Sequence, residues 1–127
     1  MKTIKKTYKI AVPQNLVWKA LVDPEIIDKW GGGPSQMNSK VGFQFQLWGG
    51  DIHGKNIVVK KENKLVQEWF GGNWSKPSIA TFTLKMEDDE TVLELVHEDV
   101  PDEDADDIDE GWDEYYLGPM KKMLEGK

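Results

Sequence analysis

The chain predicts an α+β fold in which an antiparallel meander is accompanied by two short helices after its first strand and by a long C-terminal helix. Three observations carry this reading. Residues 2–12 alternate in polarity as a half-buried strand does. Four or five further alternating runs follow one another through short turns, the pattern of an antiparallel meander. The last quarter of the chain carries apolar residues at helical spacing.

The elements follow in order. Ile4, Tyr8, Ile10 and Val12 fall on one side of the first strand, which Pro13 ends. In "QNLVWKALVDPEIIDKW" the residues Leu16, Val17, Ala20 and Leu21 form a short helical stripe. Asp23 then reads as an N-cap with Pro24 in the first helical position, opening a second short helix that ends near Trp30. "GGGPS" is a loop. Phe43, Phe45 and Leu47 alternate with Gln44, Gln46 and Trp48. "IHGKNIVVKK" and "KLVQEWF" form a hairpin around Glu62 and Asn63. Ala80, Phe82, Leu84 and Met86 share one side of the next strand, and after "EDDE" so do Leu93, Leu95 and His97 on the last. The C-terminal segment then places Ile108, Trp112, Tyr115, Tyr116, Pro119 and Met123 on one helical face, with a kink expected near Gly118 because Pro119 lacks an amide.

The 127 residues fit a single domain, 1–127, with one core. No Cys is present, which excludes disulfides, thiolate metal sites and thiol nucleophiles. All sixteen cations are Lys; the absence of Arg removes the bidentate fork that favours phosphate and guanine, so nucleic-acid binding is not expected. The N-terminus lacks a signal-peptide apolar region and no run is long enough to span a membrane, so a cytoplasmic location is expected.

Charge is concentrated. Glu98 to Glu114 holds eleven carboxylates and no Lys, while the whole chain has a net charge of −7. Asp102 reads as an N-cap whose neighbours favour the helix dipole. Asp109, Glu110, Asp113 and Glu114 read as the solvated face opposite the Trp–Tyr stripe. A calcium loop does not fit: Asp107 stands where the turn needs Gly, Asp109 at the apolar eighth position, and Asp113 where Glu is normally bidentate. "GGDIHGKN" approximates a phosphate loop but leads into a strand rather than a helix. His53 and His97 have no metal-site spacing, and no serine triad is readable. No metal or cofactor is expected.

The order of elements resembles the helix-grip fold of the START-like, birch-pollen-allergen-like (SRPBCC) superfamily, a curved sheet wrapped around its last helix. Local motifs narrow this: "VW.AL.DPE.I..W" from Val17 to Trp30, Gly42-Phe43, "GG.I.G" from Gly49 to Gly54, Trp69, "T.L.L.H..VP" from Thr91 to Pro101, and "GW..YY" from Gly111 to Tyr116. Together they resemble the family of activators of the heat-shock protein 90 ATPase, in particular the C-terminal domain of its two-domain members. The resemblance implies either a cavity protein or a co-chaperone or other protein-interaction module, with a cyclase- or hydratase-like enzyme as a third reading.

Phe43, Phe45, Trp69, Phe82, His97, Trp112 and Tyr116 fall on the inferred inner faces. They read as core residues or as the lining of a cavity between sheet and C-terminal helix. The expectation is a non-enzymatic monomer or weak dimer that binds a hydrophobic or aromatic small molecule, with a chaperone or other protein as the alternative partner. An enzymatic reading would need His97 as acid or base with a Tyr partner.

Overall fold

A computed structural model describes residues 1–126. The elements are β1 (Lys2–Ile10), α1 (Gln14–Val22), α2 (Pro24–Trp30), β2 (Gln44–Leu47), β3 (Ile52–Lys60), β4 (Lys64–Gly71), β5 (Ser78–Glu87) and β6 (Glu90–Val100). A C-terminal helix follows in segments: α3 (Ala105–Gly111), a π turn (Trp112–Tyr116) and α4 (Leu117–Leu124). All neighbouring strands pair antiparallel in the order β1-β6-β5-β4-β3-β2, so the first strand joins the free edge of the last. Irregular register between Lys2 and Ile4 and between Asn56 and Val58 bends the sheet, as bulges do. The result is the expected helix-grip arrangement: a curved six-stranded sheet with the C-terminal helix across its concave face.

The hairpins form where the sequence places them. Glu62 has φ 66° in the β3–β4 turn, and Asp88 and Asp89 take φ 52° and 66° between β5 and β6, the left-handed geometry that matches strand twist. On the inner face Leu65, Phe82, Leu93 and Leu95 are buried. Asp23 caps α2 by accepting from the Glu25 amide at 3.0 Å, with Pro24 in the first turn and Gly31 ending the helix at φ 105°. In α1 the buried stripe contains Val17, Trp18, Ala20 and Leu21, whereas Leu16 is exposed. The helix turns the indole of Trp18 to the core in place of the Leu16 side chain, burying the larger apolar area.

Two expectations for the acidic segment are corrected. Asp102 does not act as a side-chain N-cap. Its carboxylate pairs with the Met1 ammonium at 2.8 Å, because pairing of Lys2 with Val100 brings the chain start alongside. Residues Asp102–Asp104 form a 3-10 turn before α3 begins. Asp109 and Asp113 are likewise not simply solvated. Lys6 of β1 donates to both carboxylates, to Asp113 at 2.8 Å, and the Tyr8 hydroxyl also donates to Asp113. Burial raises the Asp113 pKa, but the hydrogen bonds from Lys6 and Tyr8 outweigh it and hold this carboxyl below the ordinary range. A cation between the two carboxylates replaces repulsion by a seam joining helix to edge strand. Glu110 and Glu114 do face solvent.

The irregularity expected near Gly118 is the π turn. The Leu117 amide donates to the Trp112 carbonyl, five residues back. Pro119 cannot donate to Tyr115, so widening the turn just before it costs no bond that Pro119 would have made. Each residue of such a turn advances by less than the α-helix's rotation of about 100°. That lag carries Tyr116 inward to 2% exposure and leaves Tyr115 63% exposed. Tyr115 therefore does not lie on the buried stripe where uniform α spacing puts it.

Candidate functional site

The site rests on a cross-sheet row. Phe45 stands opposite Gly54, Gly54 opposite Trp69, and Trp69 opposite Ser78. Only glycine fits in the middle, since a Cβ at Gly54 would lie 1.8 Å from the Glu68 carbonyl oxygen. Farther along, Ala80 faces His97 on β6.

The C-terminal helix lowers two rings onto this row. Trp112 stacks on Trp69 at 5.0 Å and 23°, and Tyr116 lies 4.7 Å from Trp112. Phe82 supports both from below, at 5.7 Å from Trp112 and 5.8 Å from Tyr116. The Trp112 Nε1–H donates to His97 Nδ1 at 3.0 Å. A nitrogen that accepts carries no proton, so the neutral imidazole is protonated on Nε2. That Nε2–H meets Ser78 Oγ at 2.7 Å, and the Ser78 hydroxyl donates to the Trp69 carbonyl at 2.7 Å. One direction of proton donation satisfies the whole relay. Burial lowers the His97 pKa to about 4, so the ring stays neutral at physiological pH. His97 has no exposed surface and both nitrogens engaged. In this arrangement it orients Trp112.

Between the C-terminal helix and the β2–β3 corner lies a pocket of about 350 Å³, toward the small end of ligand sites. Trp69, Trp112 and Tyr116 line it, as do Ile52 from β3 and Ile108 from α3. Trp48 and Tyr115 add two further rings, and Asp51 and Asp107 stand in its wall with exposed carboxylates. Gly111 also faces this space. A Cβ there would meet only the Tyr115 ring, at 3.9 Å, so its missing side chain widens the pocket rather than bringing helix and sheet together.

Of the seven residues singled out from sequence, Trp69, Trp112 and Tyr116 thus line the pocket, with Phe82 and His97 directly behind them. Phe45 is buried beside Gly54, and Phe43 is half-buried at the edge of the core; neither borders the pocket. The sequence reading missed Trp48, Ile52, Asp51 and Asp107. Trp48 falls on the outer phase of its strand, but the strand ends at Leu47 and the chain turns sharply. Trp48 takes φ 49°, a strained conformation for a bulky residue, and is pinned there. Its amide donates to the Gly32 carbonyl at 2.8 Å and its indole N–H to the Gly31 carbonyl at 2.7 Å. The available signal was Trp followed by Gly49-Gly50, a corner in which a ring is redirected.

Two polar groups of residues that line the pocket have no protein partner among the described residues. The Trp69 Nε1–H is fully buried and unbonded. The Tyr116 hydroxyl likewise makes no hydrogen bond, and burial raises its pKa so that it remains protonated. Among the described residues no cluster of three His, Asp or Glu is placed to hold a metal, and no helix is long and apolar enough to cross a membrane.

Comparison with known proteins agrees with this fold. The family described as "Activator of Hsp90 ATPase homolog 1-like protein" matches residues 11–125. The Hsp90 co-chaperone AHA1 of Saccharomyces cerevisiae is 25% identical over 118 residues, covering 87% of this chain and 34% of that protein. An HSP90 activator from Plasmodium falciparum superposes with a TM-score of 0.90 at 22% identity, covering 98% of this chain and 96% of the other. The Aha1 dimer from Colwellia psychrerythraea superposes at 0.85 with 17% identity, covering 99% and 98%. These structural likenesses establish the fold. The chain spans between 22% and 37% of the length of the curated relatives it matches.

Proposed function

Because the chain belongs to the Activator of Hsp90 ATPase homolog 1-like family, we propose that it is a non-enzymatic binding protein whose pocket between sheet and C-terminal helix takes a hydrophobic or aromatic small molecule. The observation that carries this is the pocket wall itself. Five aromatic side chains surround about 350 Å³, and the wall includes the strained Trp48 and the side-chain-free Gly111.

Three of the six Trp residues line the pocket, so binding should change intrinsic fluorescence. A thermal-shift screen of fatty acids, aromatic metabolites and polyketides, followed by fluorescence titration, tests the reading. Binders should raise the melting temperature of the parent protein and not that of Gly111→Leu, whose new side chain occupies the space. Equal shifts in both proteins would place binding elsewhere.

The second reading is a protein-interaction module acting on a heat-shock protein 90 homologue. It is favoured by the family and by the exposed carboxylates of the C-terminal helix, which would steer a basic partner in a salt-sensitive way. Stimulation of the ATPase of the host's own homologue would support it, and no effect at excess protein would remove it. A monomer or weak dimer is the proposed state, which sedimentation velocity decides.

A further inference from the structure

We propose that the ligand of this pocket is an organic cation: an ammonium group carried on an aromatic body. This rests on the reading of the pocket as a ligand site and specifies the class of molecule. The wall combines aromatic faces with two carboxylates, Asp51 and Asp107, and contains no Lys. Aromatic faces attract cations through their quadrupole, most strongly when water is displaced. Carboxylates beside them select positive charge over negative.

Four nearby carboxylates already have partners. Asp102 is paired with the Met1 ammonium, Asp104 accepts from the Trp74 indole at 2.8 Å, and Asp109 and Asp113 share Lys6. Among the described residues the side chains of Asp51 and Asp107 make no hydrogen bond or ion pair. They come from different elements, the β2–β3 corner and α3, so the fold brings two unneutralised charges to one apolar opening. The surface continues past Ile52, Asp107 and Ile108 toward Glu103, which extends the negative field. An anion would meet that field unscreened at low ionic strength, whereas a cation is drawn along it. The ring of the ligand would lie against Trp69 and Trp112, and an ammonium at the opening would face Asp51 and Asp107.

The test holds the body constant and changes only the charge. Binding of 3-phenylpropylammonium, 3-phenylpropanol and 3-phenylpropionate is measured by Trp fluorescence and by the indole N–H signals in NMR spectra. The ammonium should bind at least tenfold more tightly than the alcohol, the propionate most weakly, and added salt should narrow the gap. The double variant D51N/D107N should remove the preference for the ammonium while keeping the alcohol's affinity and the melting temperature. If the alcohol or propionate binds as well as the ammonium, the cation assignment is overturned and the pocket reading stands. If none of the three binds at millimolar concentration, both fall. Nα-acetyl-lysine amide is the fourth arm, and binding equal to that of 3-phenylpropylammonium would overturn the aromatic-amine assignment in favour of a lysine side chain.

Discussion

Trp112 donates its indole proton to His97 Nδ1 at 3.0 Å, and this single bond sets the tautomer of the only buried histidine. Protonating that ring would place two donors face to face and leave a charge in the core. Its pKa accordingly lies near 4 because of burial, against about 6.5 in an unfolded chain.

Stability should therefore fall on mild acidification. Between these two pKa values the unfolded chain binds the proton and the folded protein does not, so stability rises with pH across that window. His97 alone should remove about 2 kcal/mol between pH 7 and pH 5. Urea melts of the parent and of His97→Gln at both pH values check this. The difference between their pH slopes isolates His97 from the carboxylates, and equal slopes would refute the assignment.

Truncation at Trp112 should be severe. Trp112→Ala removes a ring that touches Trp69, Phe82, His97 and Tyr116, at a cost of about 3–5 kcal/mol. Trp112→Phe keeps much of the packing but strands His97 Nδ1, costing about 1–3 kcal/mol. Trp69→Phe deletes an N–H that has no partner and should cost less than Trp112→Phe. Chemical denaturation of the three variants orders them.

The acidic helix face should respond unevenly. Glu110→Gln, in solvent, should change stability by less than about 0.5 kcal/mol. Asp109→Asn and Asp113→Asn loosen the hold on Lys6 and should each cost about 0.5–1 kcal/mol, reduced by salt, since these pairs are half-exposed. The same melts in low and high salt decide it.

Two glycines of one helix should behave oppositely. Gly111→Ala adds a methyl group in open space at helical φ and should stabilise by up to about 1 kcal/mol. At Gly118 a Cβ would lie 2.0 Å from the Asp113 carbonyl oxygen, so Gly118→Ala should destabilise by about 1–3 kcal/mol. Thermal melts of the pair give the signs directly.

Much of the fold was legible because strand periodicity and punctuation act locally. Asp23-Pro24, the "EDDE" turn and the Leu93–Leu95–His97 alternation each specify their element with little help from distant residues. The pocket was legible only in part, because its wall depends on features that periodicity averages away. Uniform helical spacing puts Tyr115 inside, whereas the π turn puts it outside. Strand alternation puts Trp48 outside, whereas the corner after Leu47 brings it in. Asp109 and Asp113 read as solvated because their partner, Lys6, lies more than 100 residues away. Long-range charge pairing has no local signature.

The widened turn at Trp112–Tyr116 also makes the last helix two devices of different rotational phase. Its second half, with Leu117 and Met120 fully buried, is an anchor against α1, α2 and β1. Its first half presents Asp107, Ile108 and Gly111 to the opening as a replaceable wall. A pocket built this way can change its lining by exchanging residues on one half while the other keeps the helix anchored. Removing one residue from the turn would couple the halves again, and each change of wall would then disturb the anchor.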